Sequence, residues 1–175
     1  MKEIFRYGFI LALICSIAGG LLSGVNFLTR QRIIAQVQAE EDASLKEVIP
    51  EAGYFDAVKS EKGDILYYKA YSRDKKLLGI AFKTSAKGYS SNIETMAGMD
   101  KTGRILAIKV IQQNEAPGLG SRISEKSFTN QFENKNIADL AGVQAITGAT
   151  ISSKAVIASV QNKAEEIKAL IKNEK

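Results

Sequence analysis

The sequence predicts an α+β protein: one N-terminal transmembrane helix, then a single domain with an antiparallel sheet and flanking helices. Three observations carry that prediction. An uncharged run of 21 residues extends from Gly8 to Leu28. Two pairs of strand-like runs follow, each pair joined by a short polar turn. The C-terminal stretch places Val156, Val160, Ile167, Leu170 and Ile171 at helical spacing with charges elsewhere, as an amphipathic helix on a sheet requires.

Residues 1–7 form a short stub and residues 8–28 the anchor. As a helix the anchor spans about 31 Å, close to the hydrocarbon thickness of a bilayer. Lys2 and Arg6 precede it and Arg30 and Arg32 follow, so the charge balance does not set its orientation. Ser16-Ile17-Ala18 loosely resembles a signal cleavage site, but the apolar run continues for ten residues past Ala18. That is too long for a signal h-region, and an uncleaved anchor is favoured. Gly19, Gly20, Ser23 and Gly24 put small residues on one face, with Gly20 and Gly24 in GxxxG spacing. Either another helix packs there, or glycine is simply common in membrane helices. Cys15, within the run, reads as a small hydrophobe.

Residues 29–50 read as a helical stalk or linker, with a broken apolar pattern that ends at Pro50. Residues 51–175 form the domain. Its first hairpin pairs ILYYKAY with LLGIAFKT across SRDKK. Its second pairs ETMAGMD with RILAIKVIQ, Asp100 to Gly103 carrying the turn. Residues 124–135 suggest a short helix with Phe128 and Phe132 on one face, and the last helix runs from Ser152. The 147 residues after the anchor suffice for a sizeable core.

Composition narrows the chemistry. With no histidine there is no Ser-His-Asp or Cys-His catalysis and no imidazole ligand. With one cysteine the chain alone makes no disulfide, zinc ribbon or iron–sulfur cluster. The net charge of +5 comes from 24 basic and 19 acidic residues intermingled along the chain. That is a solvated mixed surface rather than a nucleic-acid patch. Redox or ionic chemistry must therefore come from a bound cofactor or from carboxylates.

Three polar, glycine-bearing segments interrupt the strand and helix pattern: Lys87 to Asn92, Asn114 to Arg122, and Ile146 to Lys154. In the third, hydroxyls at Thr147, Thr150, Ser152 and Ser153 precede a helix. Its free N–H groups and dipole favour a phosphate, and Lys154 adds charge. The alternative is that Ser152 or Ser153 only caps the helix. The second segment has a GxG without a third glycine or a surrounding strand–helix unit, so it is no dinucleotide fingerprint. Tyr89 in the first can stack on a flat ring or simply pack in its loop.

Together, TGAT with its Ile-Ser-Ser helix start, GYSSNIETMAGMD and NEAPGLGSRI resemble the FMN-binding domain family. Its members include the G subunit of Rnf electron transport complexes and the C subunit of sodium-pumping NADH:quinone oxidoreductases. The E-x-P-G-L-G loop and the short chain look more like the former. The resemblance implies FMN joined to the Thr150 hydroxyl through a phosphoester, installed by a flavin transferase. It implies that Thr147, Gly148 and Ala149 shape the turn, with Ser152 and Lys154 at the helix start. Gly88, Tyr89, Glu115, Pro117, Gly118, Leu119 and Gly120 would line the flavin, the glycines letting backbone approach the ring. The family's attachment motif begins with aspartate six residues before the threonine; here Gln144 stands there. The resemblance further implies other membrane and redox subunits as partners, and a soluble domain on the outer face of the cytoplasmic membrane. The reduced ferredoxin–NAD⁺ couple is its implied reaction. Another FMN-domain electron carrier, or an anchored module without flavin, are the other readings.

Overall fold

Apolar and polar residues alternate from Ile65 onward, and in the computed structural model, which describes residues 2–61 and 63–173, they form strands. The elements in order are α1 (Lys2–Val48), β1 (Tyr54–Lys59), β2 (Ile65–Tyr71), β3 (Leu77–Lys87), β4 (Asn92–Asp100) and β5 (Arg104–Gln112). After short helical turns come α2 (Lys126–Thr129), β6 (Lys135–Asn136) and α3 (Thr150–Asn173). The sheet runs β1-β2-β3-β4-β5-β6, and every neighbouring pair is antiparallel.

The two expected hairpins form where the alternation placed them. In the second, Asp100 Oδ1 accepts from the Thr102 and Arg104 N–H groups at 2.8 and 2.9 Å, and Gly103 adopts φ +91°. β3 and β4 extend further than their apolar runs, leaving only residues 88–91 between them. β1 adds a strand the sequence reading did not assign, with Tyr54 stacked on Tyr71 at 5.1 Å.

The chain divides between Glu40 and Glu41 into two compact units. In the first, α1 is long and apolar enough to cross a membrane, and side chains such as Phe9, Leu13, Leu21 and Phe27 are exposed. The second unit holds the sheet and includes the end of α1. Leu45, Val48 and Ile49 are buried there against Ala70, Ala81 and Met96. Residues 29–50, expected to link anchor and domain, are thus shared between the units, because their last apolar residues fill a core.

The other sheet face carries the larger core. Val156, Val160, Ala164 and Ile167, along one side of α3, pack with Phe82, Ile105 and neighbouring side chains. Residues 124–135 were expected to make one helix and instead make short turns around α2. Asn134 takes φ +59° and donates to the Ile105 carbonyl, which turns the chain into β6. The expected phenylalanine face survives: Phe128 and Phe132 are fully buried, edge to face at 5.4 Å.

Candidate functional site

All three polar segments meet at the start of α3. The β3–β4 connection closes with Gly88 N–H donating to the Ser91 carbonyl at 2.8 Å. The stretch after β5 is tied to it by the Asn114 N–H, which donates to Ser91 Oγ at 2.8 Å. The third segment turns at Gly148, φ +83°, with Ala149 N–H donating to the Ile146 carbonyl. That turn delivers the chain into α3 at Thr150.

Glu115 joins the three. Its side chain is only 6% exposed. Oε1 accepts from the Ser90 and Ser91 N–H groups, both at 3.0 Å, and Oε2 from the Tyr89 N–H at 3.1 Å. The Ser152 hydroxyl, in the first turn of α3, donates to Oε2 at 2.6 Å. Burial alone raises the carboxyl's pKa. The Ser152 hydroxyl and the N–H groups of Ser91, Ser90 and Tyr89 outweigh it and hold the group below its ordinary value. Among the described residues no cation pairs with this carboxylate; oriented N–H and O–H dipoles balance it.

Two of the expected glycines also meet Glu115. A Cβ on Gly88 would lie 2.6 Å from Glu115 Oε1, and one on Gly120 would lie 2.7 Å from Glu115 Cβ. Gly120 makes room for Glu115, and Gly88 for both Glu115 and Ile93, whose Cδ1 would also lie 2.6 Å away. Gly118, by contrast, has open space around it and serves the turn, at φ +73°.

A cleft of about 380 Å³ opens beside this junction. It is lined by Tyr89, Glu115, Leu119, Gly120, Gly148, Ala149, Thr150 and Ser152 from the expected set, joined by Ala116 and Ile151. Tyr89, Leu119 and Ile151 are large apolar side chains left 71%, 52% and 56% exposed at its edge. Leu119 leans over Gly148, whose Cβ would meet its Cδ2 at 3.1 Å. Gly88, set against Glu115, and Pro117, Gly118, Thr147 and Lys154 are outside its lining. The Gln144 side chain is exposed, and its backbone N–H donates to Gln131 Oε1 at 2.9 Å.

The helix start is not capped by a side chain as one reading of the serines expected. α3 begins at Thr150, so Ser152 and Ser153 sit inside its first turn. Ser152 is committed to Glu115, and Ser153 Oγ accepts from the Ile146 N–H at 3.1 Å. Alanine, with no side-chain acceptor, occupies the position before the helix, leaving the first N–H groups without an intrahelical partner. Orphan N–H groups, a helix dipole, an exposed threonine hydroxyl and an apolar-edged cleft suit a flat, phosphate-bearing group.

Residues 88–165, which hold those features, match the FMN-binding domain family. Residues 1–48 match the RnfG N-terminal region. The G subunit of an ion-translocating oxidoreductase complex from Haemophilus influenzae is 31% identical over 180 residues, covering 90% of this chain and 86% of that protein. The G subunit of the proton-translocating ferredoxin:NAD(+) oxidoreductase complex from Clostridium ljungdahlii is 28% identical, covering 95% and 92%. The chain belongs to the family of G subunits of ion-translocating oxidoreductase complexes. The crystal structure of NqrC from Shewanella oneidensis shares the fold, with a TM-score of 0.50, 17% identity and coverage of 70% of this chain and 74% of that one.

Proposed function

We propose that this chain is the membrane-anchored flavoprotein subunit of an Rnf-type ferredoxin:NAD⁺ oxidoreductase, with FMN esterified to Thr150. The observation that carries the reading is the exposed Thr150 at the first position of α3, on the lining of the cleft. When bound, FMN supplies the one- and two-electron chemistry that this chain's side chains lack. The chain's part is positional. The N–H groups at the start of α3 face a phosphate, and Lys154 adds positive charge one turn along. Tyr89, Leu119 and Ile151 offer apolar surface to the ring and exclude water from one side of it.

Attachment forms a P–O bond from Thr150 Oγ to the flavin phosphate. A flavin dinucleotide donor loses its nucleoside monophosphate, and the hydroxyl proton passes to solvent. A flavin transferase is the partner for that step, and it must read a segment in which Gln144 stands six residues before the threonine. The apolar part of α1 is the anchor, and the domain lies on the outer face of the membrane, in reach of the other redox subunits.

The test is in-gel flavin fluorescence after denaturation, on chain coexpressed with a transferase. A fluorescent band that disappears in Thr150→Ala is expected; no band from the wild-type chain would sink the reading. Subunits recovered on mild detergent purification then show whether the partners are those of an Rnf-type complex.

A further inference from the structure

Glu115 lines the cleft, yet both of its oxygens are turned to the protein. Oε1 takes the Ser90 and Ser91 N–H groups, and Oε2 takes the Tyr89 N–H and the Ser152 hydroxyl. The three N–H groups and the Ser152 hydroxyl are four donors on a carboxylate with about four lone-pair sites, which leaves no capacity for a ligand's donor, and an ionised carboxylate has no proton to give. We propose that Glu115 is a positioning residue, a latch that ties residues 89–91 to the first turn of α3 and so presents Thr150 for flavin attachment. The proposal rests on the attachment reading above.

Residues in an α-helix follow one another at about 100° around the axis, so Thr150 lies about 200° from Ser152. Ser152 is 1% exposed and held inward by Glu115, and this turns Thr150 outward, where it is exposed. Ser153 Oγ ties the same turn back to the Ile146 N–H, and the Ser152–Glu115 bond is what joins the helix start to residues 89–91. The same carboxylate holds Tyr89, at the cleft edge, through its N–H. Gly88 and Gly120 keep the seat open, and the Asn114 N–H on Ser91 Oγ adds a second tie between the same loops.

The test uses the full chain purified in detergent without flavin, as wild type, Glu115→Gln and Ser152→Ala. Amide hydrogen exchange over residues 89–91 and 150–153 is read first. A latch gives faster exchange in both segments for Glu115→Gln, and at the helix start alone for Ser152→Ala. Flavin transfer is then timed with a transferase and flavin dinucleotide, well below each variant's unfolding midpoint. Misplacement of Thr150 slows turnover in Glu115→Gln by roughly tenfold to a hundredfold, with the KM for the protein substrate little changed. Wild-type exchange and transfer rate in Glu115→Gln overturn the proposal, as does faster exchange confined to residues 89–91. If Glu115→Gln does not fold, Ser152→Ala decides: slower transfer with residues 89–91 still protected supports the latch, and a wild-type rate overturns it. Failure to label the wild-type chain, or a label that persists in Thr150→Ala, defeats the attachment reading alone, and the exchange data still decide whether the latch exists.

Discussion

Asp100 and Glu115 are both carboxylates that gather backbone N–H groups and a hydroxyl, but they do so over different stretches of chain. Asp100 Oδ1 takes the Thr102 N–H and hydroxyl and the Arg104 N–H, all within four residues and exposed. Glu115 takes partners 24 to 37 residues away, and its side chain is buried. Burial raises the pKa of both groups, and in both the hydrogen bonds win and lower it. The consequences differ in reach. Asp100 shapes one turn between adjacent strands. Glu115 determines whether three distant segments form one site.

The sharpest way to break that contrast is Glu115→Gln. The glutamine amide keeps one acceptor oxygen but turns an N–H₂ toward donors, leaving buried groups unsatisfied. The expected loss is about 3 kcal/mol of stability in urea denaturation. Its pH dependence gives a second reading. A carboxyl held below its unfolded value of about 4.3 contributes stability above that pH and loses it as pH falls through the lower, folded value. Glu115→Gln removes that part of the acid sensitivity, so its stability changes less with pH over the window than wild type does.

The glycines sharpen the comparison next. Gly88→Ala and Gly120→Ala each push a methyl into the carboxylate's seat, with an expected cost of about 2 kcal/mol. Gly118→Ala meets nothing within 4 Å and costs about 1 kcal/mol for its positive φ alone. Thermal melts of the three variants separate steric from conformational causes; equal losses at all three would remove the distinction.

Asp100→Asn is the smallest effect. An asparagine oxygen still accepts the turn's N–H groups, so the loss is expected at about 0.5–1 kcal/mol. Hydrogen exchange at residues 89–91 should not change. Loosening there would show that Asp100 acts beyond its own turn.

Much of the fold was legible because its signals are local. The alternation in ILYYKAY, LLGIAFKT and RILAIKVIQ marked β2, β3 and β5, and the spacing of Val156, Val160 and Ile167 marked the packed side of α3. β1 escaped because YFDAVK is a short, half-exposed edge strand with little apolar contrast. The helix expected at 124–135 broke up because Asn134 pairs with Ile105, a partner 29 residues earlier that no local pattern announces. In the site, TGAT before a helix pointed to the cleft, and Tyr89, Leu119 and Thr150 line it together. Ile151 and Ala116 were missed because apolar residues in polar loops carry no chemical signature.

The sequence by itself determined that this chain has an anchor-length apolar helix, an antiparallel sheet, no imidazole and only one thiol. Periodicity and residue type are properties of neighbours in the chain, and they survive without a structure. Only the tertiary structure showed which partners Glu115, Gly88 and Gly120 meet. Their spacing in the chain is compatible with lining a ligand or with holding each other. The choice depends on where carboxylate oxygens and absent methyl groups lie in space. The fold brings residues 88–91, 115–120 and 148–152 together, and there Glu115 bonds to the protein itself.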